Sequence, residues 1–460
     1  MINGLKPHPA MKKIGMEWNE ALPAHWAVHR IRSLVLNVVE RQSSPQQGDM
    51  HIALEHVESW TGRIKGGSEE AEPDSQWNCF CRGDVLFGKL RPYLAKVTRV
   101  AMSGRCVGEF LVLRPKCTDL DSRFLERLLR SKPVIDVVDS STFGAKMPRA
   151  EWAFIGALKI GCPPLTEQSA IVRFLDHADD RIQRYIYAKE KLITLLEDQK
   201  QAVIHQAVTG QINVRTGECY PACKDSGVEW LGEVPEHWDV RGLGQIGTFS
   251  KGSGGNKDDE VPEGVPCIRY GDLYTTHKYF IRSSRSCVPR ARAADYTLLR
   301  FGDLLFAGSG ETMEEIGKSA VNLVRSEVRC GGDIIVFRAN REVEPEFLGY
   351  ATDAPSAVAQ KATMGRGFTV MHIYAKQLKR LALALPPLAE QVEIARFLND
   401  ALARIDAGIV AAARQIRLVQ ELRSSLTADV VTGKLDVREA ASTLPERHLT
   451  QDAASVHADP

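Results

Sequence analysis

The feature that most restricts how this chain can fold is a long helical segment written twice. The stretch PPLTEQSAIVRFLDHADDRIQRYIYAKEKL from Pro163 aligns without a gap with PPLAEQVEIARFLNDALARIDAGIVAAARQ from Pro386. The match runs on through VTGQINVR and VTGKLDVR to Arg215 and Arg438, with 21 identities in 53 positions. Chance does not produce that. GMEWNEALPAHW from Gly15 recurs as GVEWLGEVPEHW from Gly227, GDVLF from Gly83 as GDLLF from Gly302, and RCVGEFLVLR from Arg105 as RCGGDIIVFR from Arg329. All copies keep the same order, so the duplication is domain-sized.

Within the first copy, Ile171, Leu175, Ala178, Ile182, Ile186, Ile193, Leu196 and Val203 recur at spacings of threes and fours, with no proline or glycine from Thr166 until Gly210. That periodicity predicts one helix with a single apolar stripe. Prolines and a Thr cap mark its start, and the glycine of VTG can take the left-handed conformation at its end. The second copy, Ala389 to Val431, repeats the stripe with Ile394, Leu398, Ala401, Ile405, Ile409, Ile416, Val419 and Leu426, and tolerates Gly408. Each helix would be about 60 Å long. One such stripe covers the other, and the connectivity makes the pair antiparallel, with an approximate two-fold relation between the halves. The EW segment should then pack where the second helix ends, as its copy packs where the first ends.

The remaining segments, about 27 to 160 and 239 to 385, mix strands such as FLVLRP and DIIVFRA with short helices such as DSRFLERLLRS. The fold class is therefore α+β: two tandem α/β domains and a coiled coil. The expected borders are 1–162 for the first domain, 163–212 for the first helix, 213–385 for the linker and second domain, 386–438 for the second helix, and 439–460 for a mobile tail.

Composition excludes several classes. At 460 residues, 44% apolar and 25% charged, the chain reads as ordinary globular protein of two or more domains. Its start lacks the apolar core of a secretory signal, and no apolar run approaches the roughly 18 residues that span a bilayer, which points to the cytoplasm and no membrane. Ten cysteines without a framework read as reduced thiols, and Cys219/Cys223 and Cys79/Cys81 lack a second pair at zinc spacing. No metal ligand is assigned, and His25 and His237, which recur beside Trp26 and Trp238, are assigned to packing. With a net charge of +1, any nucleic-acid surface must be a local patch.

The order of EW..P.HW, a globular domain and a PPL.EQ helix ending in VTG, repeated once, resembles the specificity subunit of Type I restriction-modification systems over nearly the whole chain. FGKLRPYLAKV from Phe87 is similar to that family's target-recognition domains. The resemblance implies that each domain reads one half of a split asymmetric site in double-stranded DNA, while the helices set the spacing and dock two methyltransferase subunits. Two motor-nuclease subunits complete the complex. It also implies no catalysis and no cofactor in this chain; S-adenosylmethionine, ATP and Mg belong to the partner subunits.

The residues agree that chemistry is missing. The Pro-Pro pairs read CPPL and LPPL, not the Asn/Asp-Pro-Pro-aromatic motif that holds a flipped base. GSGETMEEIGKSA places Thr312 where a phosphate-cradling loop needs glycine. Asp198 and Lys200 read as a solvated face of the helix.

DNA contacts should fall to basic and polar side chains, phosphates for affinity and base edges for sequence. In the first domain the candidates are Lys89, Arg91 and Tyr93 after the strand DVLF, with Lys146 and Arg149 in STFGAKMPRA. In the second they are Arg282, Arg285, Arg290 and Arg292, Lys318 as a turn lysine, and Arg366 between two glycines. For partner docking, Glu167, Gln168, Arg173 and Phe174 equal Glu390, Gln391, Arg396 and Phe397; the competing assignment is that they seat each helix on its own domain. Two other classes stay open: a tethering protein that does not read DNA, and a self-sufficient restriction or methylation enzyme, which the missing motifs disfavour.

Overall fold

Both Pro-Pro-Leu segments lead into single helices: α1 spans Leu165–Thr209 and α2 spans Leu388–Val431. In this computed structural model the described residues are 5–16, 18–42, 50–66, 77–142, 147–255, 259–310, 312–313, 315–367 and 371–445. Every stripe residue named above is buried or half-buried. Two compact units divide the chain, Met1–Lys189 with Arg414–Pro460, and Glu190–Ala413. These cuts fall inside the helices rather than at the expected borders, because each domain packs against one stretch of both.

In the first unit, Arg423 Nε of α2 donates to Asp179 Oδ1 of α1 at 2.8 Å, and the Tyr185 hydroxyl donates to Gln415 Oε1 at 3.0 Å. Partner numbers fall as α1 numbers rise, so the helices run antiparallel. Arg127, on the helix Ser122–Leu129, also pairs with Asp179 and donates to Asp176 Oδ1 at 2.6 Å. In the second unit, α1 and α2 meet through Lys200 and Asp406, and Leu196 lies against Gly408. Lys200 is therefore not a solvated residue: it is 9% exposed and paired across the helices.

Strands β1 (Val35–Val38), β2 (Met50–Ile52), β3 (Trp77–Phe80), β4 (Val85–Gly88), β5 (Val97–Arg99), β6 (Gly104–Val107) and β7 (Phe110–Pro115) build two sheets. One is antiparallel in the order β5-β4-β7-β1; the other contains β3-β6-β2, with β2 parallel to β6. The second unit has β8 (Gly247–Lys251), β9 (Val265–Ile268), β10 (Tyr279–Ile281), β11 (Ser286–Val288), β12 (Thr297–Leu298), β13 (Leu304–Ala307), β14 (Ser319–Asn322), β15 (Arg329–Cys330) and β16 (Ile334–Ala339). Its sheets run β8-β16-β13-β14-β10 and β11-β9-β15-β12. The orders match unit for unit in their centres, with β10 and β11 added as edge strands in the second unit and Arg41–Gln42 beside β3 in the first. The echoed sequences supply β7 and β16, which hold equivalent central places. Buried Phe87, Leu113, Phe124 and Trp26 fill one core, and Phe306, Phe337, Phe347 and Trp238 the other.

Each long helix is seated on its own unit by its first turn. Glu167, 4% exposed, accepts the Trp26 indole N–H at 3.0 Å and lies 2.7 Å from His25 Nε2. Gln168 is fully buried: it accepts the Asp121 N–H at 2.8 Å and donates to Asp119 and Pro163 carbonyls at 2.8 Å each. The second unit repeats this. Glu390 accepts from Trp238 at 3.2 Å, from His237 at 3.0 Å and from the Tyr220 hydroxyl, while Gln391 accepts from Glu344 N–H at 2.9 Å. Phe174 is 2% exposed in the core. The recurrence of Glu167, Gln168, Phe174, Glu390 and Gln391 thus has a sufficient cause in contacts inside the chain. Arg396 is exposed, and Arg173 and Phe397 are half-buried.

The EW segments pack at the helix ends as expected. Asn19 Nδ2 donates to the Thr432 carbonyl at 3.0 Å in the first unit, and Gly210 lies against Pro235 and Trp238 in the second. Beyond Arg438 the tail is not free at its start, since Arg438–Ser442 is helical and Ala440 and Ala441 are buried in the first core. Residues 446–460 lie outside the described residues.

Two outcomes follow from these contacts. Gly210 and Gly433 have φ of 74° and 73°, and a Cβ would meet Pro235 Cδ at 2.3 Å and Pro23 Cδ at 2.4 Å. Gly210→Ala and Gly433→Ala should each cost about 2 kcal/mol or more in urea denaturation. Asp179 is buried, which raises its pKa, yet Arg127 and Arg423 hold it below the usual carboxylate value. A depressed carboxylate stabilises the fold above its unfolded pKa and loses that contribution as pH falls through the native one. Asp179→Asn should therefore destabilise by about 3 kcal/mol at neutral pH, and the difference from wild type should shrink below about pH 4 in acid-unfolding curves.

Candidate nucleic-acid interface

Both units build the same corner from a Gly-Asp turn. Gly83 (φ 93°) and Gly302 (φ 86°) reverse the chain before β4 and β13. Asp84, whose side chain is 2% exposed, accepts the Cys81 N–H at 2.7 Å and a two-pronged pair from Arg114 at 2.8 Å each. Asp303, 1% exposed, accepts the Arg300 N–H at 2.7 Å and Arg338 at 2.7 and 2.5 Å. These arginines end FLVLR and IIVFR, so the echoed strands return because they carry the partner of the turn aspartate. A buried carboxylate needs that set of donors.

What leaves the corner differs. In the first unit the chain after β4 is stitched to two segments: Lys89 N–H donates to Glu109 O at 2.9 Å, Arg91 N–H to Pro148 O at 2.8 Å, and Ala150 N–H to Lys89 O at 2.9 Å. Leu90 and Arg149 form a β-bridge. These bonds bring the candidate segments Lys89–Tyr93 and Arg149 together, while Lys146 lies outside the described residues. Arg91 and Ala95 hold φ of 51° and 47° on either side of the turn Pro92–Leu94. Left-handed backbone at non-glycine residues is strained and is retained where surrounding structure or a ligand demands it. Arg91 and Tyr93 are exposed; Arg149 is exposed but paired with Glu109 at 2.7 Å.

In the second unit the bridge falls between Ser309 and His372, and His372 stands 223 residues after Arg149. Arg366 is bridged to His372, with Arg366 N–H to His372 O at 3.0 Å and the reverse bond at 2.8 Å. Tyr270 and Tyr274 hydroxyls donate to Ser309 O at 3.0 and 2.5 Å, and Lys318 Nζ sits 5.9 Å from the Tyr274 ring. Beneath the loop, Lys361 is 1% exposed and donates to Gly317 O at 2.8 Å. A cleft of about 190 Å³ opens between Lys278, Lys318, Glu315 and Gln201. Lys318 and Arg366 therefore share a corner with exposed His372 and Tyr374, which the sequence reading missed. The 223-residue offset of the adjoining Pro-Pro-Leu repeat, applied to Arg149, would have found His372.

The arginine cluster does not form one patch. Arg282 pairs with Glu346 at 2.9 Å and covers the Phe280 ring at 5.1 Å, whereas Arg292 pairs with Asp259 at 2.5 Å and Asp295 at 3.2 Å. Arg285 and Arg290 are exposed, with no ion pair among the described residues. Acidic neighbours hold Arg282 and Arg292 in place, which leaves Arg285 and Arg290 as the freer cations.

Residues 235–412 match the sequence profile of the Type I restriction modification DNA specificity domain. Over that span the chain is similar to the specificity subunits of Type I restriction-modification systems. It is 24% identical over 202 residues to the Type I restriction enzyme EcoDI specificity subunit of Escherichia coli, covering 42% of this chain and 44% of that one. With the EcoKI specificity subunit of Escherichia coli strain K12 it shares 24% over 338 residues, 70% of this chain and 68% of the relative. The match thus spans less than half of the first relative's length and about two thirds of the second's. A subunit solved in work on complex assembly and conformational transition of the type I R-M system has a TM-score of 0.70 at 20% identity, covering 90% of this chain and 99% of that one. The HsdS subunit from Thermoanaerobacter tengcongensis gives 0.51 at 20% identity, with 90% and 98% covered. Both agree with the fold described above. No helix among the described residues is long and apolar enough to cross a membrane.

Since the Gly-Asp turn aims each corner, removing its charge should loosen it. Asp84→Asn and Asp303→Asn should each cost about 2–3 kcal/mol of unfolding free energy, below the range for a fully buried pair because the arginines are partly exposed. Hydrogen exchange should rise first at residues 81–90 in the former and 300–310 in the latter.

Proposed function

We propose that each unit's strand-end corner reads one half of a bipartite asymmetric site in double-stranded DNA. The first half is read by Lys89, Arg91, Tyr93 and Arg149, with Lys146 beside them in sequence. The second is read by Lys318, Arg366, His372 and Tyr374, with Arg285 and Arg290 on phosphates and Arg282 and Arg292 supporting them. The observation that carries this reading is one Gly-Asp scaffold built twice with unlike side chains on it. Equal frames aim two sets of contacts; unlike contacts select two sequences.

The long helices set the spacing between half-sites and dock two methyltransferase subunits, to which two motor-nuclease subunits attach. Docking falls to side chains that the helices leave outside, among them Tyr187, Val410 and Leu422 at 65, 64 and 58% exposure, together with Arg173, Arg396 and Phe397. Apolar side chains that open on a soluble helix pair favour a protein partner. The chain recognises and does not catalyse; S-adenosylmethionine, ATP and Mg are held by the partner subunits.

A long-read methylome of a host expressing the chain with its neighbouring methyltransferase, against the host lacking only this chain, tests the proposal. A split motif carrying N6-methyladenine that disappears with the chain supports it; an unchanged methylome with the methyltransferase folded and present refutes it. Arg91→Ala should relax or abolish one half of the motif and Arg366→Ala the other. In purified complexes, each lost phosphate contact should reduce the salt dependence of DNA binding by about 0.9 in log–log slope.

A further inference from the structure

At the starts of the long helices, the two units differ at two facing positions, Tyr220 with Asn213 in the second and His8 with Asp436 in the first. The anchor Glu390 of the second unit is closed by the Tyr220 hydroxyl, which burial and Glu390 itself keep protonated and donating. The position equivalent to Tyr220 in the first unit is His8, in HPA against YPA, and its side chain is 2% exposed. His8 makes no such closure. Its Nε2 stands 3.6 Å from Glu167 Oε1 and its Nδ1 3.8 Å from Asp436 Oδ2, and Nδ1 has no hydrogen-bond partner. A buried imidazole held just beyond hydrogen-bond reach of two carboxylates is an unsatisfied arrangement for a protein alone.

The surroundings show what would satisfy it. One ligand atom each from His8, His25 and Glu167 can be chosen so that all lie within 4.8 Å of one another. A tetrahedral zinc ion with bonds of about 2.0–2.2 Å draws its ligands to about 3.4 Å apart, which small side-chain movements achieve here. An outer shell is also present: the Trp26 indole N–H donates to Glu167 Oε1 at 3.0 Å, and Asp436 faces the His8 Nδ1 that a zinc-bound Nε2 would leave as donor.

We propose that His8, His25 and Glu167 bind one zinc ion, with Asp436 orienting His8. The fourth position is left to water on the exposed His25 side. The ion ties the segment Lys6–Pro7, which pairs with Leu435–Asp436 beyond α2, to the first turn of α1. The second unit makes the same junction without metal, because tyrosine supplies the closing hydrogen bond directly.

The test uses the full-length chain carrying Cys219→Ser and Cys223→Ser, so that the exposed thiol pair contributes no zinc. After chelator treatment and one round of zinc loading and gel filtration, elemental analysis should find one zinc per chain. Co²⁺ in its place should give the strong visible absorption of a tetrahedral site. His8→Tyr, which copies the second unit's residue, should bind zinc at least 100-fold more weakly while keeping the wild-type circular dichroism. If that variant does not fold, His25→Gln at the half-exposed ligand reads the same loss. Tyr220→His combined with Asn213→Asp should gain a second equivalent. Retention of zinc by folded His8→Tyr or His25→Gln, or absence of zinc from the loaded parent chain, overturns the assignment.

Discussion

A carboxylate buried in the first turn of a long helix is what the rest of each unit depends on. Glu167 and Glu390 would be costly out of water, and each is held by an indole N–H from the tryptophan that opens its domain and by the adjoining histidine. The free N–H groups and dipole of a helix start favour negative charge at this place. One contact therefore joins the start of the domain to the start of the helix that follows it. The neighbouring Gln168 and Gln391 bind backbone at 121 and 344 and fasten the rest of the domain to the same turn. The domain closes on the helix at both of its chain ends.

The same division between constant frame and variable surface appears at the corners. Asp84 with Arg114 and Asp303 with Arg338 make the same two-pronged pair, and the strands they join hold equivalent places in their sheets. After the strand the two chains part: a basic loop with two left-handed residues in one unit, and a longer loop seated on Tyr270, Tyr274 and Lys361 in the other. Duplication gave two copies of the frame, and only the frame has a packing reason to stay alike. Surface side chains can change without disturbing the core, which the proposed reading of two unlike half-sites requires.

Much of this was legible before any coordinates. Repeat spacing located both helices within a residue or so at each end, the left-handed glycines that end them, and the strands of the echoed segments, because periodicity and turn chemistry are local. Of the candidate site, the cluster of Lys89, Arg91, Tyr93 and Arg149 was reachable because the residues flank recognisable strand ends. The recurrence of Glu167, Gln168 and Phe174 was visible but its cause was not: a repeated polar residue looks the same in sequence whether it faces a partner or a buried tryptophan. Lys200 was read as solvated for the same reason, since the aspartate that pairs with it lies more than two hundred residues away.

By itself the sequence determined the duplication, the helix lengths, the antiparallel direction and the absence of familiar catalytic motifs, since each depends on order and spacing along one chain. Only the tertiary structure decided which repeated residues turn inward, that Arg282 and Arg292 are occupied by acidic neighbours, that His372 joins Arg366, and that His8 meets His25 and Glu167. Those facts depend on distances between segments far apart in sequence, and such distances are set by how whole cores pack.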